Sequence, residues 1–357
     1  MCCVQERDTG MLLRLATLLE EVLGMRKTAL PLAAMVAALL VSVLALATTE
    51  DPARAAFPGV NGRIAFLSNR DGQNEIYTIS FAGSNPTRLT HSDKSDKTPS
   101  FSPNGKKIVW ERGEYLYLMN ADGSNQHKIP NTHHSNYEIG RYGSYGGNPA
   151  FSPEDRTDGR KIVFDKGKNI WTINPDGTGL TRITNVTAGG TCQEKPTLVH
   201  PVWSPVSNKI AFSWVCGEVR ELHVMALSDL QNKQILDSTS RLSPEGVRVY
   251  RPDWSPDRTR IVYEYCAYPC KPGGGAQDYN PNIYKVDVGT GVNTPIVTGP
   301  YNDSYPVFSP SGGKIVYSSD RDGDEELYFK NADGTGTPQR LTKNTTRDVE
   351  PDWQPVR

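Results

Sequence analysis

Short apolar runs recur along this chain, each closed in by polar and turn-forming residues. They are Ile64-Ala65-Phe66, Ile108-Val109-Trp110, Ile162-Val163-Phe164, Ile210-Ala211-Phe212, Ile261-Val262-Tyr263 and Ile315-Val316-Tyr317. β-Branched and aromatic residues without a polar interruption read as short strands buried on both faces. A five-residue phrase, proline–any–aromatic–polar–proline, recurs with them. Its six copies start at Pro99, Pro149, Pro201, Pro252, Pro306 and Pro351, with spacings of 50, 52, 51, 54 and 45 residues. A third strand follows each triplet, as in Glu75-Ile76-Tyr77, Tyr115-Leu116-Tyr117 and Glu326-Leu327-Tyr328. Then comes a tight turn, clearest in Asn120-Ala121-Asp122-Gly123 and Asn331-Ala332-Asp333-Gly334. Asp-Gly suits such turns because glycine adopts positive φ without strain. A short outer strand such as Thr87-Arg88-Leu89-Thr90 or Gln339-Arg340-Leu341-Thr342 ends the unit.

Repetition at this period means one supersecondary unit used many times. Four antiparallel strands in six units predict an all-β fold, a six-bladed β-propeller. An open solenoid would leave two bare sheet edges. The register favours closure, because the chain enters at a second strand near Gly62 and ends on a first-strand phrase, Pro351 to Pro355. N- and C-terminal segments are therefore expected to pair in one blade.

The same residues resemble the WD-like repeat of the TolB family, periplasmic components of the Tol–Pal envelope system. The shared pattern is Pro-x-Phe/Trp-Ser-Pro-x-Gly-x-Lys-Ile-x-Phe, then Leu/Ile-Tyr, Asn-x-Asp-Gly and Arg-Leu-Thr. Residues 98–129 and 305–342 match it most closely, and the resemblance runs over about residues 61–357. It implies a propeller with an envelope role. Members of that family carry an α/β domain before the propeller. Here about a dozen residues separate an apolar segment from the first strand, and no such domain is expected.

That apolar segment, Ala29 to Ala47, follows Arg26 and Lys27 and precedes small residues. This is the layout of a secretory signal, and the alternative is a single membrane anchor. Residues 1–55 are read as an N-terminal extension plus signal, with Met25 as an alternative start, and 56–357 as the propeller. The protein is expected to be exported, periplasmic or extracellular. Beyond the signal stand Cys192, Cys216, Cys266 and Cys270. In an oxidising compartment these predict disulfides Cys192–Cys216 and Cys266–Cys270, with free thiols as the alternative. With 39 basic and 40 acidic residues, net charge −1, there is no basic footprint for nucleic acid.

Alternating strand direction puts the first-to-second and third-to-fourth turns on one face. The other face receives the second-to-third turns and the blade-to-blade connections. The first set is terse. The long segments Pro130–Asn148, Asn185–Val199, Asp237–Val249 and Tyr265–Pro281 assign mostly to the second. Variable loops on a rigid frame are where binding resides. Candidate contact residues on that face are His133, His134, Tyr137, Tyr142, Tyr145 and Tyr268, the histidines being read as exposed. Asp96, Asp303 and Asp348, each three residues before a phrase, either ring the channel mouth or bond backbone amides in their turns.

Catalytic signals are weak. Tyr142-Gly143-Ser144-Tyr145-Gly146 resembles a nucleophile elbow but has Tyr142 where the elbow needs glycine, and it lies in a connection. Asp320, Asp322 and Asp324 open like a calcium loop without its distal glutamate, so calcium is an alternative and no cofactor is otherwise expected. The sequence thus predicts a monomeric, non-enzymatic propeller that binds a protein or cell-envelope component. Its contact with a membrane is confined to an uncleaved signal. The alternative is a propeller enzyme, a polysaccharide lyase or hydrolase, whose site is assembled from several blades.

Overall fold

A computed structural model describes residues 59–134, 137–138, 144–153, 160–186, 192, 195–205, 209–227, 240–267 and 280–356. The expected signal, Ala29 to Ala47, lies outside them. Among the described residues there is no α-helix, and no helix is long and apolar enough to cross a membrane.

The strands form repeated antiparallel sets. β1 (Val60–Ser68), β2 (Glu75–Ile79) and β3 (Thr87–Arg88) make the first. β4 (Asp96–Phe101), β5 (Lys107–Arg112), β6 (Tyr115–Asn120) and β7 (His127–Lys128) make the second. A small pair, β8 (Tyr137–Glu138) and β9 (Ser144–Tyr145), sits in the connection that follows. β10 (Gly147–Phe151), β11 (Ile162–Lys166), β12 (Asn169–Ile173) and β13 (Thr181–Arg182) come next. β14 (Thr197–Trp203), β15 (Lys209–Cys216), β16 (Val219–Ala226) and β17 (Ser240–Arg241) join β18 (Val247–Trp254), β19 (Arg260–Ala267), β20 (Asn282–Asp287) and β21 (Asn293–Val297) through one parallel contact, Arg220 with Arg248. β22 (Asp303–Phe308), β23 (Lys314–Ser319), β24 (Glu326–Asn331) and β25 (Gln339–Arg340) follow. The last strand, β26 (Asp348–Val356), returns to pair antiparallel with β1.

The apolar triplets are continuous because each sheet is covered on both faces. Ala65 and Leu67 pack with Phe101, Ile108 and Trp110 of the next set. Ile64 and Phe66, pointing the other way, pack with Val316 and Leu327 of the preceding one. The same sandwiching recurs between every successive pair of sets. All six phrase aromatics, from Phe101 to Trp353, are at most 4% exposed. Burying one such ring contributes on the order of 2–3 kcal/mol.

The phrase serine pins the following turn. Ser102, Ser152, Ser255 and Ser309 each accept, on Oγ, the amide of the basic residue at or just before the start of the second strand, at 2.8–3.0 Å. In the pair formed by the two ends of the chain, Gln354 replaces that serine. Its Oε1 accepts the Arg63 amide at 3.1 Å, so the same acceptor is supplied from β26. Gln354 also donates to the Gly105 carbonyl at 2.8 Å. The Arg-Leu-Thr tail has an equally local cause. Thr90 and Thr342 accept the amides of Ile76 and Leu327, while Arg88 and Arg340 pair with buried Glu75 and Glu326. Two-residue outer strands are thereby held without a long ladder.

Cys192 and Cys216 form a disulfide that ties the connection entering β14 to the β15–β16 hairpin. Cys266 is also disulfide-bonded, and Cys270 lies outside the described residues.

Gly105 tests the contact between the second set and β26. Its φ is +66°, and a Cβ there would stand 2.1 Å from the Pro355 carbonyl oxygen. Gly72 has φ +104° but open space around it. Gly105→Ala is expected to cost about 2–4 kcal/mol, combining backbone and steric terms, against about 1 kcal/mol for Gly72→Ala. Equilibrium urea unfolding of both variants checks this.

Candidate functional site

Each phrase opens with a proline inside the first strand. Proline cannot donate to the ladder, so pairing with the second strand skips there. The skip falls between Lys97 and Ser100, Gly147 and Ala150, Val199 and Val202, Tyr250 and Asp253, and Ser304 and Val307. In β26 it falls between Val349 and Asp352. The residue before each proline is barred from the right-handed helical region and here takes left-handed backbone geometry. These residues are Thr98, Asn148, His200, Arg251, Tyr305 and Glu350, with φ between 38° and 56°. Non-glycine residues hold such geometry only where the surroundings enforce it, and it gathers at functional sites.

All six, with the proline after each, line one cavity of about 140 Å³. Their strands touch in succession, β4 to β10 to β14 to β18 to β22 to β26, and β26 touches β4. First strands run from the loop-rich side to the terse side. The ring of unlike residues therefore stands toward the loop-rich side. Two residues on, Asp253 and Asp352 wall both this cavity and a second chamber of about 90 Å³.

The ring is tightly bonded. Arg251 Nη1 donates to both oxygens of Glu264 at 2.8 and 2.9 Å, and Nη2 donates to the Tyr305 hydroxyl at 3.2 Å. The guanidinium lies 3.9 Å from the Tyr305 ring centroid, a cation–π contact. Burial pushes the Tyr305 hydroxyl up to about 12. Burial, with Arg251 and Arg220 nearby, holds His200 well below its usual range, so it is neutral at neutral pH. Glu350 accepts the Thr98 amide at 2.7 Å. Asn148 donates to Asp165 at 2.8 Å, and burial pushes that carboxyl up to about 7. Asp253 accepts the Phe308 amide at 2.8 Å and Asp352 the Phe101 amide at 2.5 Å, each bridging to the next set. Burial and the Asp352 charge push Asp253 up to about 8, and burial pushes Asp352 up to about 7.

The residues singled out in the sequence stand elsewhere. Asp96, Asp303 and Asp348 do not line the cavity. They are fully buried in their hairpins and face Arg112, Arg321 and Arg70 at 2.6–2.8 Å. His133 is exposed, its ring tilted against that of Tyr115, with Nε2 3.1 Å from Glu114. His134 is fully buried, contrary to its reading as an exposed loop residue. Its Nδ1 meets the Thr132 carbonyl at 3.1 Å, and Nε2 lies 3.7 Å from Glu111. Gly147 lets them pack, since a Cβ there would come within 2.7 Å of Glu111 and 3.0 Å of His134. Tyr137 pairs with Tyr145 across β8 and β9, while Tyr142 and Tyr268 lie outside the described residues. Asp320 binds the Asn302 amide at 2.9 Å, and Asp322 takes the Tyr328 hydroxyl and Arg340. Asp324 is not joined to them. Among the described residues no three His, Cys, Asp or Glu side chains stand close enough to hold a metal.

Sequence reasoning missed the ring because it sought residues that repeat. A usable signal was present: the position before the phrase proline is the one that changes in every copy.

No family model matches the chain. A TolB homologue of Chlorobaculum tepidum is 31% identical over 129 residues, which is 34% of this chain and 26% of that relative. The chain thus matches about a quarter of that relative's length. The crystal structure of TolB from Acinetobacter baumannii superposes with TM-score 0.61 at 19% identity, covering 84% of this chain and 67% of that one. This is a TolB-like propeller protein. Puromycin hydrolase shares the fold, with TM-score 0.52 at 19% identity over 72% of this chain and 40% of its own.

The TolB-like frame has a pH signature. A carboxyl whose folded pKa is raised contributes stability below its unfolded value near ~3.9 and loses it as pH rises through the folded value. For Asp253 and Asp352 that window ends at about 8 and about 7. Asp253→Asn and Asp352→Asn should therefore raise the Tm at pH 8.5 and change it little near pH 4. Asp257 has the opposite sign. Hydrogen bonds from Ser255, Thr259 and Arg260 hold it low, so Asp257→Asn should lower the Tm at pH 8.5. Thermal scans across pH check both.

Proposed function

We propose that this chain is an exported, non-enzymatic, six-bladed β-propeller that binds a protein or cell-envelope ligand through its loop-rich face. Residues 56–357 form the propeller on this reading, and residues 1–55 carry the export signal. The closed ring is supported by the β1–β26 pairing and by the core shared between the first and last sets. The observation carrying the binding role is the cavity ring. One geometric position, repeated six times, presents Thr98, Asn148, His200, Arg251, Tyr305 and Glu350. A regular frame that presents six different residues at its central opening is arranged for recognition. Likeness to TolB makes an envelope protein the partner class we favour, and Tol–Pal membership is part of that proposal.

A second reading, a propeller enzyme of the lyase or hydrolase kind, draws on the fold shared with puromycin hydrolase. The ring holds no nucleophile–base pair. His200 is neutral, and Arg251 is engaged by Glu264.

Capture from envelope extracts separates the two. The mature chain should retain a protein partner. Shortening Pro130–Asn148 should cut recovery at least tenfold, while Lys106→Glu on the terse face should not. Turnover of a polysaccharide or peptide by the purified chain, abolished by one loop substitution, would overturn the binding role.

A further inference from the structure

The cavity treats its carboxylates differently from most of those buried in the hairpins. Six buried carboxylates in the hairpins each face an arginine: Glu75, Asp96, Glu264, Asp303, Glu326 and Asp348. Asp253, Asp352 and Glu350, which wall the cavity, form no ion pair among the described residues. Their partners are backbone amides of Phe308, Phe101 and Thr98. The nearby cations are engaged elsewhere, Arg251 by Glu264 and Arg347 by Glu325. Arg251 and Arg347 act on Glu350, whereas Asp253 and Asp352 have no cation of the protein against them among the described residues.

A second observation concerns the same hollow. Trp254 and Trp353 wall the lower chamber beside Asp253 and Asp352. Both are at most 3% exposed, and neither indole N–H has a partner. A buried donor left without an acceptor costs about 1–3 kcal/mol, so such a group is commonly met by a bound molecule or water.

We propose that the cavity binds a primary alkylammonium group of the size of a lysine side chain, its head between Asp253 and Asp352. The wall explains the stem. Six phrase prolines with Ala150, Val202 and Val307 give a predominantly apolar passage. An ammonium head offers three donors to carboxylate acceptors. Trp254 and Trp353, with their unpartnered indole N–H groups, stand in the wall of the adjoining chamber. A bare metal ion suits the passage less well, since no three ligating side chains converge among the described residues. The raised proton affinity of both aspartates agrees with a missing counter-cation. This inference concerns the channel and not the loops, so its failure leaves the loop-rich binding face standing.

Calorimetric titration of the mature chain at pH 8 tests it. n-Pentylammonium should bind one per chain, with an enthalpy that depends on the buffer's ionisation heat because protons are displaced. 1-Pentanol and tetramethylammonium should not bind. The Asp253→Asn/Asp352→Asn variant keeps an acceptor for both backbone amides and should weaken pentylammonium binding at least tenfold, while Asp122→Asn should leave it unchanged. Acetyl-Gly-Lys-Gly-amide binding where acetyl-Gly-Gln-Gly-amide does not would assign the group to a partner's lysine. This peptide pair uses the unsubstituted chain and so holds even where the double variant fails to fold. Absence of saturable pentylammonium binding overturns the proposal. So does equal binding of 1-pentanol, undiminished binding to the folded double variant, or binding of calcium chloride alone.

Discussion

A proline placed inside a strand removes one hydrogen-bond donor from the ladder, and the chain must accommodate the gap. In this protein the gap falls at one point of the first strand in all six copies. The backbone bulges there, the preceding residue takes positive φ, and its side chain is delivered to the central cavity. The aromatic two residues on is left facing the core, at most 4% exposed. One local constraint therefore positions both the packing residue and the cavity-lining residue. The rest of each unit, from the serine-pinned turn to the Arg-Leu-Thr tail, keeps the flanking strands in register with that point.

Electrostatics follow the same geometry. Within the hairpins the chain buries carboxylates against arginines, often with an aromatic ring beside the guanidinium, as at Arg70 with Tyr77 and Arg321 with Tyr328. These pairs join neighbouring strands and fix the connections on the loop-rich side. In the cavity Asp253, Asp352 and Glu350 accept backbone amides and form no ion pair among the described residues. Sets are thereby linked by hydrogen bonds from the Phe308 amide to Asp253 and from the Phe101 amide to Asp352, in the wall of the cavity.

Much of this was legible beforehand. Strand triplets, turns and the Cys192–Cys216 bridge depend on near neighbours or on strand parity, which a period near 50 residues exposes. The site was less legible. Asp96, Asp303 and Asp348 drew notice because they repeat, yet a repeated carboxylate here is a repeated salt bridge. His134 read as a loop residue because nothing near it in sequence announces Glu111 and Gly147 as its walls. Thr98, Asn148, His200, Arg251, Tyr305 and Glu350 share no chemistry. Only their common position relative to proline joins them.

By itself the sequence determined the unit: which residues form strands, where turns fall, and that one unit is reused. Those features are set by hydrogen-bond donors, side-chain branching and glycine, all local properties. Tertiary structure alone decided which residues meet at the centre and which buried charges are paired. Residues about 50 positions apart come together there through packing of one sheet on the next, and local sequence carries no record of that distance.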